Sequence, residues 1–179
     1  MAAYRHCGAE PAAREFRPAC TSEAFTWETH SLYADAERVR EALRREPLVH
    51  LTVVNGPGDV LVAGEGAACR RLIEALGCAS SPVLSNYVMH SPPAAAYAEM
   101  VRLHSYPVAA QPAIRFYSAA AGTPLVLESG ALAERMAQTM TCPVDFPRIV
   151  ESAYADGAHL RGGRSHQLLH PSDRRYPCR

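Results

Sequence analysis

The sequence predicts an α+β protein made of two unlike parts. Residues 24–88 show strand and helix patterns in the order strand, helix, strand, strand, helix, strand. Residues 89–160 instead show several helix patterns around one short apolar strand. The hydrophobic content of 48% and the charged content of 20% are those of a folded globular protein, which excludes disorder throughout.

The first strand and helix are predicted from local side-chain patterns. Residues 24–34 are rich in aromatic and β-branched side chains, which favours a strand. Asp35 then stands where a helix N-cap is expected, and Pro47 ends the helix. Apolar side chains of that helix recur at helical spacing, at Ala36, Val39, Ala42 and Leu43.

The next predicted elements are a hairpin, a second helix and a fourth strand. Residues 48–54 and 59–63 read as two strands joined by the turn at residues 55–58, which predicts a hairpin. A second helix follows and ends at Gly77, and residues 82–88 supply a fourth strand. The apolar positions of the second helix are Cys69, Leu72, Ile73 and Leu76. This order predicts a ferredoxin-like βαββαβ subdomain, an antiparallel sheet with both helices on one face.

The second part lacks the strands of a complete sheet. Helices are predicted at residues 93–104, 129–139 and 147–156, and a buried strand at residues 114–118. One short strand cannot form a sheet by itself, so residues 89–160 are predicted to be an incomplete part of a larger α/β domain.

The two ends show no regular pattern. Residues 1–23 are expected to be a poorly ordered leader. Residues 161–179 contain five Arg and one Asp, and we interpret them as a basic tail that is disordered or translated out of frame.

Charge and cysteine usage narrow the function classes. The chain has 18 basic and 18 acidic side chains, so its formal net charge is zero. A general nucleic-acid binder would be strongly basic, so the charge argues against that function class. No apolar run reaches the length of a membrane span. Six cysteines without CxxC spacing favour reduced thiols in a cytoplasmic protein.

His90 is the most informative candidate for chemistry. It follows a predicted strand and precedes a predicted helix, where α/β sites place catalytic groups, although a surface-loop histidine has the same pattern. His30 and His50 lie in predicted strands, and we expect them on exposed faces. No HExxH motif occurs, so no metal site is predicted, and no G-x-S-x-G nucleophile motif occurs.

Five short motifs resemble those of one enzyme family. They lie in the same order and at similar spacing, at residues 55–64 (NGPGDVLVAG), 90–91 (HS), 116–118 (FYS), 143–147 (PVDFP) and 156–158 (DGA). The set resembles malonyl-CoA:acyl-carrier-protein transacylases and the acyltransferase domains of type I polyketide synthases. The similarity is closest to acyltransferases of polyunsaturated-fatty-acid synthases, and it extends over residues 25–160.

The resemblance implies a function and a set of site residues. In this family a serine attacks an acyl-CoA thioester, and the acyl group then passes to the phosphopantetheine thiol of an acyl carrier protein. His90 matches the family histidine that takes the serine's proton. Asn55 matches a supporting residue, and Met89 and Ser91 are substrate-proximal candidates. No bound cofactor is implied.

The resemblance also implies that part of the enzyme is missing. Residues 24–88 correspond to the small subdomain, and residues 89–160 correspond to the C-terminal part of the large, α/β-hydrolase-like subdomain. The serine elbow precedes both in the family and has no counterpart here. The chain is therefore expected to be a C-terminal fragment, inactive alone, whose partners are the serine-bearing half or synthase complex and a carrier protein.

Two other interpretations remain open from the residues. The chain could be a non-catalytic ferredoxin-like protein-interaction module, or an inactive truncated gene product. Residues 161–167 also depart from the family, which has a buried strand there, and this departure leads to the out-of-frame interpretation of the tail.

Overall fold

The computed structural model describes residues 26–84, 87–95, 98, 107–108 and 113–159. The predicted leader at residues 1–23 and the tail at residues 161–179 lie outside the described residues. So does most of the predicted helix at residues 93–104. No helix in the described ranges is both long and apolar enough to cross a membrane.

The first part of the chain forms a four-stranded antiparallel unit with two helices. Its elements follow one another in the predicted order: β1 (Trp27–Leu32), α1 (Ala36–Leu43), β2 (Val49–Gly56), β3 (Asp59–Glu65), α2 (Gly66–Leu76) and β4 (Ser80–Val83). The strands lie in the spatial order β4-β1-β3-β2, and each neighbouring pair is antiparallel. Consecutive strands β2 and β3 form the predicted hairpin.

The two helices of this unit are capped by the residues that the sequence predicts, Asp35 and Gly77. The carboxylate of Asp35 accepts hydrogen bonds from the backbone N–H groups of Glu37 at 2.9 Å and Arg38 at 3.3 Å. Gly77 ends α2 in the left-handed conformation, with φ at 57°. Both predicted caps are confirmed.

An apolar core lies between the sheet and the two helices. Val39 of α1 and Leu72 of α2 are buried against Leu32, Val60 and Val62 of the sheet. These side chains alternate along their strands, so one face of the sheet carries the core. The backbone packs closely at one edge, because a Cβ atom on Gly64 would lie 2.1 Å from the carbonyl oxygen of Leu48.

The fourth strand begins earlier than predicted. We expected it at residues 82–88, but it is Ser80–Val83. Gly77 ends α2 abruptly, so the chain reaches the edge of β1 within three residues. Val88 is fully buried outside any strand.

The second part of the chain has short strands and two longer helices. Its elements are a 3-10 turn (Pro92–Ala94), β5 (Phe116–Tyr117), β6 (Pro124–Leu125), α3 (Ser129–Thr141), β7 (Val144–Asp145) and α4 (Phe146–Ala155). Strands β5 and β6 form a separate antiparallel pair. Strand β7 adds to the main sheet by pairing in parallel with β2.

The prediction of a buried strand at residues 114–118 is wrong about burial. The strand is only two residues long, and Ile114 and Phe116 are 67% and 42% exposed. Strand β6 is its only partner within the described ranges, and Phe116 keeps a large part of its surface exposed. An apolar sequence can therefore predict a strand without predicting what covers it.

Candidate functional site

The candidate base, His90, lies in a loop held on both sides by buried residues. Val88 before it and Ser91 after it have no exposed surface. His90 itself is half-buried, and its backbone has a φ of 57°. It is the only residue other than glycine with positive φ in the described part of the chain. Such backbone strain concentrates at functional sites.

The ring of His90 is fixed by a backbone carbonyl. Its Nδ1 atom lies 2.6 Å from the carbonyl oxygen of Thr139, near the end of α3. A carbonyl oxygen can only accept a hydrogen bond, so Nδ1 carries the proton and donates. In the neutral ring the Nε2 atom therefore keeps its lone pair. This is the tautomer that a general base needs.

A second hydrogen bond fixes the same loop on the same helix. The backbone N–H of Ser91 donates to the carbonyl oxygen of Met140 at 3.2 Å. Thr139 and Met140 lie in the last turn of α3, where carbonyls have no partner within the helix. The loop thus caps α3, and α3 orients the imidazole.

Sequence reasoning missed Thr139 and Met140. Their contribution comes from backbone oxygens, which have no residue signature. The available signal was the end of a predicted helix at residues 129–139 without a glycine cap.

The two neighbours of His90 differ in environment. Met89 is half-buried, whereas Ser91 has no exposed surface and its hydroxyl has no hydrogen-bond partner in the described structure. The carbonyl of Ser91 accepts the N–H of Ala94 at 3.0 Å, which starts the short 3-10 turn. Ser91 therefore contributes to the loop through its backbone.

Asn55 lies at the exposed end of β2. Its side-chain amide donates to the carboxylate of Asp59 at 3.4 Å, across the hairpin turn. No described hydrogen bond joins Asn55 to His90. The structure thus brings Met89, His90 and Ser91 together with α3, and it gives Asn55 a contact within the hairpin.

The expectation that His30 lies on an exposed face is wrong. Its side chain is only 12% exposed, and Nε2 lies 3.0 Å from the carboxylate of Glu28, which Arg70 also contacts at 2.6 Å. His30 is two residues from the core residue Leu32, so both point to the same side of the sheet. Although burial raises the pKa of Glu28, the hydrogen bonds from His30 and Arg70 outweigh it and lower that pKa.

The expectation is also wrong for His50. Its ring stacks on Trp27, with ring centroids 6.4 Å apart and an interplanar angle of 23°. Burial lowers the pKa of His50 because the charged form loses hydration. This histidine is part of the packing of the sheet.

The described ranges contain no group of three or more His, Cys, Asp or Glu side chains able to hold a metal ion. Cys69, Cys78 and Cys142 are free thiols. Burial, followed by the nearby charges of Glu28 and Glu65, raises the pKa of Cys69 to about 12, which makes that thiol unreactive.

Known structures provide an independent comparison. No family model and no curated protein matches the chain. The acyltransferase domain of the iterative polyketide synthase in enediyne biosynthesis has a TM-score of 0.61 and 24% identity, over 73% of this chain and 36% of that one. The acyltransferase domain from module 8 of the salinomycin polyketide synthase has a TM-score of 0.62 and 22% identity, over 74% and 32%.

A third similar structure is matched over a larger share of its own length. The acyl-carrier-protein S-malonyltransferase from Burkholderia pseudomallei 1710b has a TM-score of 0.66 and 18% identity, over 76% of this chain and 48% of that one. The chain thus spans about a third to a half of the length of these structures. Its resemblance to polyketide synthase acyltransferase domains and malonyl-CoA:acyl-carrier-protein transacylases is confirmed, and it shares their mixed α+β fold.

Proposed function

We propose that this chain is the histidine-bearing part of an acyl-CoA:acyl-carrier-protein transacylase of polyketide or polyunsaturated-fatty-acid biosynthesis. The observation that carries the proposal is the hydrogen bond from His90 Nδ1 to the carbonyl oxygen of Thr139, because it leaves Nε2 as a base. The shared fold supports the reaction class, since the similar structures are acyltransferases.

The proposed reaction needs a serine from a segment outside this chain. His90 Nε2 takes the proton of the serine hydroxyl as its oxygen attacks the thioester carbonyl of acyl-CoA. The imidazolium then returns that proton to the departing CoA sulfur. In the second half, His90 takes the proton of the phosphopantetheine thiol, which attacks the acyl-serine ester, and returns it to the serine oxygen.

Thr139 has the orienting role in this scheme. In serine triads a carboxylate accepts the hydrogen bond from the second ring nitrogen and fixes the tautomer. Here a carbonyl oxygen at the C-terminal end of α3 accepts that bond, and its partial negative charge lies against the ring that becomes positive. The same helix end holds the next residue, Ser91, through Met140.

The subdomain assignment is part of the proposal. Residues 24–88 would be the ferredoxin-like small subdomain that covers the cleft, and residues 89–160 part of the large subdomain. The strand order β4-β1-β3-β2 supports the first assignment. Met89 and Asn55 would lie near the substrate, whereas Ser91 would hold the loop, because its hydroxyl is sealed from solvent.

Ligands, partners and location follow from the same proposal. Acyl-CoA would be the donor, the phosphopantetheine arm of an acyl carrier protein the acceptor, and no bound cofactor would be needed. The chain would act in the cytoplasm within a synthase complex, which is consistent with the free thiols of Cys69, Cys78 and Cys142.

Complementation tests the proposal. The full chain is co-expressed with the part of the enediyne-synthase acyltransferase domain that has no counterpart here, and transfer from radiolabelled malonyl-CoA to a carrier protein is measured. We expect no transfer by the chain alone and transfer by the pair. His90→Ala should lower the rate about 10²- to 10⁴-fold, the usual contribution of a general base.

The control variant is His159→Ala, which removes an exposed histidine far along the chain from the loop. It should leave transfer unchanged. Acylation of the chain by itself, or full activity of His90→Ala with the partner present, would contradict the proposal. The second result would favour a non-catalytic interaction module.

A further inference from the structure

The C-terminal end of α3 is closed by the His90 loop instead of by the chain that follows the helix. Thr139 is the third-last residue of α3, and its carbonyl oxygen accepts the hydrogen bond from Nδ1 of His90 at 2.6 Å. Met140 is the second-last, and its carbonyl oxygen accepts the backbone N–H of Ser91 at 3.2 Å. In the Schellman motif that ends many helices, the same two carbonyls accept N–H groups from just after the helix. Residues 90–91 therefore take the place of a local cap.

Pro143 prevents that local cap from forming. It is the first residue after Cys142, the C-cap of α3. A Schellman motif needs an N–H group and a left-handed backbone at this position, whereas proline has no N–H group and its ring holds φ at about −65°. The simpler left-handed cap needs the same N–H group as a donor to the carbonyl of Thr139. Proline therefore excludes both common closures and leaves the carbonyls to the His90 loop.

The same proline directs the chain away from α3. A residue that precedes proline is driven into the extended conformation, and Cys142 has φ at −111° and ψ at 145°. The chain then enters β7, where Val144 pairs with Val53 of β2. Pro143 is itself exposed, so a substitution there changes the helix end without removing a buried side chain.

The end of α1 shows the alternative arrangement. The N–H groups of residues 44–46 donate to the carbonyls of residues 41–43 at 3.1 to 3.3 Å, so this helix is closed by its own chain. Pro47 comes only after these bonds, and it is also exposed. A proline thus withholds a cap only where it occupies the position next to the C-cap, as Pro143 does.

We propose that Pro143 is a positioning residue for His90. By preventing a local cap of α3, it keeps the carbonyl of Thr139 available to the imidazole and so fixes the ring proton on Nδ1. This gives a physical role to the first residue of the motif at residues 143–147. The consequence for acyl transfer rests on the proposed function, whereas the consequence for the hydrogen bond does not.

Replacing Pro143 by residues that differ in their ability to form a cap tests this inference. Pro143→Gly supplies both the N–H group and a backbone that adopts positive φ, so α3 should close on itself. Pro143→Val supplies the N–H group, but a β-branched residue resists positive φ. Nitrogen-15 NMR of the histidine-labelled full chain measures how much of His90 is protonated at Nδ1. Most of that signal should be lost in Pro143→Gly, and less of it in Pro143→Val.

Hydrogen exchange gives a second measurement at the same helix end. In Pro143→Gly the carbonyl of Met140 accepts the new N–H group at position 143. The backbone N–H of Ser91 then loses its acceptor and should exchange with solvent at least about tenfold faster than in the wild type.

The matched control is Pro47→Gly, which makes the same chemical change at an exposed position after a helix that is already closed. It should leave the tautomer of His90 and the exchange of Ser91 unchanged. The proposal is overturned if Pro143→Gly keeps both wild-type signals, or if Pro47→Gly alters them as strongly. It is also overturned if Pro143→Gly loses the native circular dichroism, because the proline would then be needed for folding and not for positioning.

Acyl transfer with the co-expressed serine-bearing part separates this inference from the proposed function. Pro143→Gly should lower transfer at least about tenfold, because a ring protonated at Nε2 cannot take the serine's proton, a fault that costs about 10⁴-fold in a serine triad. A wild-type pair that transfers nothing contradicts the proposed function and leaves the NMR result on Pro143 intact. Full transfer by the Pro143→Gly pair overturns the positioning role and leaves the proposed function intact.

Discussion

Residues 27–83 and residues 113–159 bury their apolar side chains to very different extents. The first region has a continuous core drawn from three strands and two helices, in which Leu32, Val39 and Leu72 are almost fully inaccessible. The second region buries only Ala133 and Ala137 among its apolar residues, both on α3. Large apolar side chains stay exposed there, at Ile114, Phe116, Val126, Met136, Phe146 and Tyr154.

This difference shows how stability and chemistry are divided along the chain. The first region closes its own core and supplies the sheet to which β7 adds. The second region carries the helix end that orients His90, but it leaves much of its own apolar surface open. The proposed base is therefore held by the less completely packed region.

The largest expected contrast concerns side-chain truncation. Leu72→Ala removes a side chain that is 1% exposed and should lower the free energy of unfolding by about 2–5 kcal/mol. Met136→Ala removes one that is 48% exposed and should cost less than about 1 kcal/mol. Urea unfolding of the full chain measures both. Equal costs would mean that the two regions are packed alike.

Replacing a glycine by alanine in each region compares how closely their backbones are packed. Gly64→Ala places a Cβ atom 2.1 Å from the Leu48 carbonyl and should destabilise by about 1–3 kcal/mol. Gly130→Ala on α3 meets no atom within 4 Å and should stabilise by up to about 1 kcal/mol. Thermal unfolding measures whether each variant is more or less stable than the wild type. A Gly64→Ala variant that is more stable would refute the close packing of β2 and β3.

Helix capping gives a smaller effect of the same kind. Asp35→Ala removes two hydrogen bonds to α1 and should cost about 1 kcal/mol. Glu128 stands at the N-cap of α3 but its side chain makes no capping bond. Glu128→Ala should therefore change stability by less than about 0.5 kcal/mol. Chemical denaturation measures the stability of both variants. A larger loss of stability in Glu128→Ala than in Asp35→Ala would contradict this account.

The smallest effect is a pH dependence that comes from His50 in the first region. Burial lowers the pKa of His50 below its usual 6.5, so the unfolded chain binds a proton more readily than the folded one. The stability that neutral His50 allows is present above that usual pKa and is lost as the pH falls below it. His50→Phe keeps an aromatic ring against Trp27 but cannot titrate.

Thermal unfolding between about pH 7.5 and pH 5.5 measures this dependence. The variant should lose less stability across the range than the wild type, whereas His159→Phe, at an exposed position, should behave as the wild type does. An identical pH dependence in His50→Phe would exclude His50 as its source.

Local signals predicted the first region well. Asp35 and Gly77 were identified as caps because capping depends on residues next to the helix. The start of β4 was misplaced because strand position depends on the partner: Ser80–Val83 pairs with β1 across about fifty residues of sequence. The parallel pairing of β7 with β2 was not predicted, because it joins residues far apart in the chain.

The candidate site was predictable in part. The position of His90 between a strand and a helix pattern, together with the HS motif, was visible in the sequence. The left-handed backbone at His90 and the carbonyl of Thr139 were not, because both arise when the loop docks on α3. The exposure of Phe116 was missed for a related reason, since a sequence does not reveal which face of a strand remains uncovered.

The most direct test of the proposed base is the tautomer of His90. Nitrogen-15 NMR of the full chain labelled at histidine, with His90→Gln used to assign the signal, measures which ring nitrogen carries the proton. The hydrogen bond to Thr139 predicts a neutral ring protonated at Nδ1, with Nε2 unprotonated. A proton on Nε2, or the averaged signal of a freely exchanging surface histidine, would contradict the account.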